Sequence, residues 1–262
     1  MLARESNANY PSRRREMTNY TLREVKKVCA EIGPRESGEE SERKAQAYIA
    51  ESMKNVADSV ETEEFELHPK AFMGWVLVDV VLMIVSAVLL ILSRFDAVPS
   101  LSTAFNVGAL VLSALSLVFM VAEFLFYKPI LDPFFPKRQS CNVVCTRKAA
   151  GETKRRIIFS GHIDSAYEWT YTHLGGGKLL TAVIALAFGS VFVQFVLDIL
   201  SLCPIPEWLS TVILVLAFVT AVPILLGAFF VNWKLVVPGA NDNLTGVFAS
   251  MAVLRYMAAN DI

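Results

Sequence analysis

Charge is scarce in this chain. Of 262 residues, 19% are Asp, Glu, Lys or Arg, against 54% hydrophobic, and the formal net charge is -1. Without a basic excess there is no electrostatic footprint for nucleic acid. The one basic cluster, Arg13-Arg14-Arg15, reads as a solvated tail. Cysteine is sparse too: Cys29, Cys141, Cys145 and Cys203 are scattered, and no second pair follows at zinc-ribbon spacing. Cys141 and Cys145 are four apart, so on a strand they share one face and read as buried thiols. Residues Met1 to Asn7 are polar and lack an apolar run, which predicts no cleavable signal peptide. Histidine is limited to His68, His162 and His173. No glutamate follows Glu207, and beyond Asp242 the only acidic residue is Asp261.

Long apolar runs are what the chain has in abundance, and they give a mean hydropathy of +0.47, high for a soluble protein. Four runs are long enough to cross a hydrocarbon layer of roughly 30 Å: Phe72 to Ser93, Phe105 to Tyr127, Leu179 to Cys203 and Trp208 to Val231. Short connections, Arg94 with Asp96 and Pro99, and Pro204 to Glu207, pair them into two hairpins. Each hairpin returns the chain to the same side. Lys70, Lys128, Lys137, Arg138, Lys178 and Lys234 flank that side, and Arg94 alone lies in the opposite loops. The positive-inside rule then predicts an integral membrane protein with four spans and with both termini and the soluble parts in the cytoplasm. Trp75, Tyr127, Trp208 and Trp233 sit at span ends, as interfacial aromatics do. Asp79, Gln194 and Asp198 fall inside spans, where polar groups serve either helix packing or an ion pathway.

The remaining segments read as soluble. A polar tail through about residue 16 precedes a helix with Leu22, Val25, Val28, Cys29 and Ile32 on one face, stopped by Gly33-Pro34. A second helix carries Ala45, Tyr48, Ile49, Met53 and Val56, and Val60 to Leu67 makes a strand. Pro129 to Pro136 is an approach loop. Asn142 to Thr146 is a strand, Ala149 to Lys154 a turn, and Arg156-Ile-Ile-Phe-Ser160 a further buried strand. A last helix runs from Leu244 to Ala259, with Val247, Met251 and Leu254 in its stripe.

Two motifs carry chemistry. Ser160-Gly-His-Ile-Asp-Ser165 ends the apolar run at Gly161 and presents His162 and Asp164 with one residue between them. An imidazole there can offer one nitrogen to a metal while the carboxylate holds the other. Such pairs also occur by chance. Pro238-Gly-Ala-Asn-Asp-Asn-Leu-Thr-Gly246 places Asp242 at the start of the last helix. Taken alone, Asp242 is an N-cap; alternatively, a carboxylate so oriented can bridge two divalent cations.

Together these motifs resemble the paired signatures of the di-zinc aminopeptidase family, which includes aminopeptidase Y, bacterial leucyl aminopeptidases and glutamate carboxypeptidase relatives. Ile32-Gly-Pro-Arg-Glu-Ser-Gly38 and Ser140-Cys-Asn-Val-Val144 are similar to further family segments. The resemblance implies an α/β fold, a mixed central sheet flanked by helices, interrupted by two inserted transmembrane hairpins. Peptidase segments would then be 1–70, 128–178 and 233–262, and the hairpins 71–127 and 179–232. It also implies that His162 is a zinc ligand, Asp164 its supporting carboxylate and Asp242 the bridge between two zinc ions. The implied reaction is metal-assisted hydrolysis at the free N-terminus of a peptide, beside a lipid bilayer.

The family next supplies a Glu pair, one a general base, then an acidic ligand and a final His. None of these follows Asp242 here, which predicts an incomplete, C-terminally truncated site that cannot hydrolyse peptides. A catalytically silent scaffold on the same fold, and less strongly a transporter, are the rival expectations. Gly175-Gly-Gly-Lys178 lacks the spacing of a phosphate loop and reads as a linker. Glu168 and Trp169 border either a pocket or a loop surface, and His173 is a loop histidine near the membrane. His68, at a strand end, is assigned no role.

Overall fold

The computed structural model describes residues 10–95, 99–149 and 151–260. Asp96 and Asp261, the polar residues before Tyr10 and the middle of the expected 149–154 turn lie outside them. The chain is mostly helical, 66%, with two small antiparallel sheets. It divides into two compact units: residues 1–69, 137–167 and 234–262 form the first, and 70–136 with 168–233 the second.

Unit 1 is built from three amphipathic helices and a β-ribbon. Helix α1 (Tyr10–Glu31) starts well before the expected Thr18, so the basic cluster is helical. Helix α2 (Glu40–Met53) buries Ala45, Ile49 and Met53 at helical spacing. With Val25 and Val28 of α1 and Val247, Phe248 and Met251 of α7 (Thr245–Ala259), they enclose one core. Phe248 is fully buried, edge-on to Tyr20 at 6.5 Å. Strand β1 (Ser59–Leu67) pairs antiparallel with β2 (Arg138–Thr146) from Ser59↔Thr146 to Leu67↔Arg138. Gln46 of α2 donates to the Ser140 hydroxyl at 3.0 Å and the Cys141 carbonyl at 2.9 Å, which fixes helix against ribbon. Cys141 and Cys145 are half-buried free thiols, and burial raises both pKa values.

The structure departs from the expected sheet. In place of one mixed central sheet it has two two-stranded ones, β1–β2 and β3–β4, with β3 at Tyr167–Trp169 and β4 at Val231–Val236. Residues 156–160 form no strand. Ile157, Ile158 and Phe159 are exposed rather than buried. The apolar run marks a segment suited to a sheet interior, but a strand needs a neighbour for its N–H and C=O groups. Among the described residues none lies beside it.

Unit 2 is four long helices: α3 (Ala71–Leu92), α4 (Ser102–Met120), α5 (Thr170–Ser201) and α6 (Glu207–Leu226). With their terminal turns, all four are long and apolar enough to cross a membrane. Their burial runs opposite to that of a soluble bundle. Val81, Val111, Phe192 and Val222 face outward, while Ser86, Ser113, Gln194 and Asp198 are fully enclosed. An apolar exterior around a polar seam suits a hydrocarbon surround. Helix α5 begins at Thr170, nine residues before the expected span. It is interrupted at Gly175 and Gly176 (φ 65°), where a linker was expected.

Val81 lies midway along α3 and points outward, so Val81→Asp should cost about 2.5–3.5 kcal/mol of insertion free energy. A microsomal insertion assay of the first hairpin should show reduced insertion for this variant and near-native insertion for Val81→Leu.

Candidate functional site

His162 and Asp164 reach a common face because of the residue between them. Ile163 packs against the unit 1 core. Its two neighbours stay outside that core and meet each other. Asp164 Oδ1 lies 3.2 Å from His162 Nδ1, and its Oδ2 accepts from the Ser37 hydroxyl at 2.8 Å. On the far side of the ring, His162 Nε2 is 3.1 Å from Asp242 Oδ1, across 80 residues of sequence. The row Ser37–Asp164–His162–Asp242 therefore joins the three expected site residues in one chain of contacts. Its outer end is open to solvent: the Asp242 side chain is 83% exposed and His162 51%.

Asp242 does not cap α7. The capping role falls to Asn243, whose side-chain oxygen accepts the Gly246 N–H at 3.2 Å. That leaves the Asp242 carboxylate to face outward, with Oδ1 toward His162. The Asp242–Asn243 peptide is cis. Two glycines allow the approach. Gly161 packs on the first turn of α7, and a Cβ there would sit 2.5 Å from the Val247 nitrogen. Gly239 has φ +60°, and a Cβ would meet that of Ser165 at 2.6 Å.

The residue that holds these loops together was not singled out from sequence. Arg35 is fully buried. Its guanidinium donates to three backbone carbonyls: Ile163 at 2.7 Å, Gly33 at 2.5 Å and Pro238 at 2.9 Å. Its backbone N–H donates to the Ser165 hydroxyl and its carbonyl accepts the Ser165 N–H, both at 2.8 Å. One side chain thus ties the 33–38 turn, the histidine loop and the Asp242 loop together. Burial lowers its pKa from the usual guanidinium range, with Cys29 and Asp164 acting against that shift. An arginine remains charged all the same. The only advance signal was the Gly-Pro-Arg turn itself.

Glu42 braces the turn that carries Ser37. It accepts the Gly38 N–H at 2.6 Å and the Ser140 hydroxyl at 2.9 Å. Burial pushes its pKa up from 4.5, opposed by those two donors.

Hydrogen bookkeeping limits what the row can do. If Asp164 is ionised it can only accept, so Nδ1 of a neutral His162 carries the proton and Nε2 presents a lone pair. An ionised Asp242 also presents lone pairs. Two acceptors 3.1 Å apart need a proton or a cation between them. A tetrahedral zinc bound by one nitrogen and one oxygen separates them by about 3.3 Å, so this pair fits two corners of such a site. Asp164 lies on the opposite ring nitrogen and cannot share that ion. Among the described residues no group of three or more His, Cys, Asp or Glu is arranged to hold a metal. His173 stands 3.4 Å from Glu168 within unit 2, and Glu168 also accepts from Asn232 at 3.0 Å.

Arg35→Ala removes the buried donor shared by three loop carbonyls, leaving Pro238 only its long contact from the Cys29 thiol, and should destabilise unit 1 by about 3 kcal/mol, measured by denaturant unfolding of the full chain. Glu42 has the opposite pH signature from a paired carboxylate. Its folded pKa is raised, so its contribution is most favourable below pH 4.5 and declines as pH rises through the folded value. Glu42→Gln keeps an acceptor for both donors. The variant should flatten that decline and match or exceed native stability at neutral pH.

Compared with known proteins, the chain matches no family model, no curated protein and no solved structure.

Proposed function

We propose that this chain carries the first half of a zinc-dependent exopeptidase site on a membrane-anchored scaffold. Its parent chemistry would be aminopeptidase-type hydrolysis. The observation that carries the reading is the 3.1 Å approach of His162 Nε2 to Asp242 Oδ1, with Asp164 on the other ring nitrogen. A histidine backed by a carboxylate is the usual arrangement of a metal-binding imidazole. The two motifs that resemble the di-zinc aminopeptidases thus meet in space, which supports the family reading of the site.

In this reading His162 and Asp242 would be the residues that hold zinc. Asp164 fixes the ring tautomer, and Ser37 fixes Asp164. Arg35 holds the three loops at the spacing the ligands need. A bound zinc would polarise a scissile carbonyl and acidify water. The general base and further ligands that such hydrolysis requires are not among these 262 residues. No catalytic step is therefore assigned to the chain by itself.

The four apolar helices anchor the protein in a bilayer. The basic residues at one set of helix ends, against Arg94 at the other, support a cytoplasmic unit 1. There it would meet peptides with free N-termini.

Zinc titration of the full chain in detergent micelles tests the reading. His162→Ala and Asp242→Ala should each weaken binding at least tenfold, and Asp164→Asn about tenfold. Identical affinities in all four proteins would overturn it. Zinc-loaded residues 1–262 should show no turnover of an aminoacyl amide; turnover with two bound zincs would show the site to be complete.

A further inference from the structure

The enclosed polar groups of unit 2 form one seam. On α4, Asn106, Ser113 and Ser116 lie on a single buried face, seven and three residues apart. On α3, Asp79 and Ser86 are buried two turns apart. Helix α5 adds Gln194 and Asp198, and α6 adds Thr220. Ser86 and Asp198 Oδ2 are 2.8 Å apart, Gln194 donates to Asp198 Oδ1 at 3.0 Å, and Thr220 lies 3.0 Å from Gln194 Oε1. In the π-helical turn that continues α4 (Val121–Leu125), Glu123 accepts the Leu131 N–H at 2.8 Å and acts electrostatically on Asp79. From Glu123 to Asn106 the seam extends about 25 Å, close to the thickness of the hydrocarbon layer.

Two features distinguish it from a packing contact. First, the Asp198 surroundings satisfy either protonation state. The Ser86 hydroxyl lies within reach of both Asp198 and the Ala109 carbonyl, the latter at 3.0 Å. Ser113 faces the same carboxyl and also reaches the Leu110 carbonyl at 3.2 Å. Each hydroxyl has one hydrogen. Turned toward Asp198, they and Gln194 give an anion three donors. Turned to the carbonyls, they leave Ser86 Oγ to accept an O–H from a neutral Asp198. Second, the seam holds incomplete positions. Among the described residues, Asp79 Oδ1, the Ser116 hydroxyl and Asn106 Oδ1 are buried with no partner at hydrogen-bond geometry, although Ser116 faces Asp79. Buried polar atoms in that state call for water or an ion. The groups acting on Asp198 are Ser86 of α3, Ser113 of α4 and Gln194 of α5, with Thr220 of α6 behind Gln194. Those on Asp79 are Ser116 and Glu123. No basic side chain is among them.

We propose that the four-helix unit binds a proton at Asp198, delivered along this seam from Glu123 through Asp79 and bridging water. Uptake takes a hydrated proton from the water at Asp79, forms an O–H bond on Asp198 Oδ2, and turns the Ser86 hydrogen to the Ala109 carbonyl and the Ser113 hydrogen to the Leu110 carbonyl. Release breaks that O–H bond, returns the proton to water at Asp79, and turns both hydroxyls back to the carboxylate. No redox partner is needed.

Infrared difference spectroscopy of the full chain in phosphatidylcholine–phosphatidylglycerol vesicles reads the C=O stretch of protonated carboxylic acids directly. A band that titrates reversibly with pH and is lost in Asp198→Asn is expected. Ser113→Ala removes a donor that serves only the anion, so the proton should bind about tenfold more tightly, an upward shift of about one pH unit in the midpoint. Asp79→Asn should slow the response of the band to a pH jump. A band that is absent, or unchanged at every pH, overturns the proposal, as does a sodium-induced loss of the band at fixed pH. Should Asp198→Asn fail to fold, the Ser113→Ala midpoint decides, and an unshifted midpoint is contradictory. An unchanged pH-jump rate in Asp79→Asn removes the delivery route.

Discussion

The buried guanidinium of Arg35 is the constraint on which the site depends. A fully enclosed charge costs several kcal/mol unless its hydrogens find acceptors. Here they are three carbonyls from three loops. Because the charge cannot be left unpaired, the loops are held to it. His162 and Asp242 therefore approach within 3.1 Å through a group that touches neither. The exposed carboxylate and half-exposed imidazole could not hold each other against solvent and entropy, since surface ion pairs are worth about 1 kcal/mol or less. The clamp supplies what the pair lacks.

Glycine and hydrophobic packing complete the arrangement. Gly161 lets the histidine loop lie on the first turn of α7, and Ile163 anchors it to the same core that receives Val247 and Phe248. The core thus sets the height of the loop, and Arg35 sets its spacing from the Asp242 loop. Asn243 takes the hydrogen-bonding task at the helix start and frees its neighbour. Position in the fold, rather than the chemistry of the two side chains, decides which of them meets His162.

Periodicity was a sound guide wherever one face of an element is buried. The stripe of α2, the ribbon strand ending at Leu67 and the four apolar runs are where the pattern placed them, within several residues. It misled at residues 156–160, because an apolar run reports what a segment is suited to, not whether neighbouring strands exist. Strand β4 was missed because it follows directly on an apolar span and shares its composition. Of the site, His162, Asp164 and Asp242 were legible as motifs. Arg35 was not, since an isolated arginine after Gly-Pro looks like any solvated turn residue until three distant carbonyls are seen around it. The polar seam of unit 2 was legible only as Asp79, Gln194 and Asp198. Its serines became visible once helix faces were known, because serine is small enough to sit on either side of a helix.

X-ray absorption at the zinc edge, on the full chain loaded with one equivalent of zinc, tests the central claim most directly. The account predicts a first shell of nitrogen and oxygen donors containing a single imidazole, with the imidazole signal lost in His162→Ala. Sulfur in that shell, from any of the four cysteines, or an imidazole signal that survives the substitution, would contradict it.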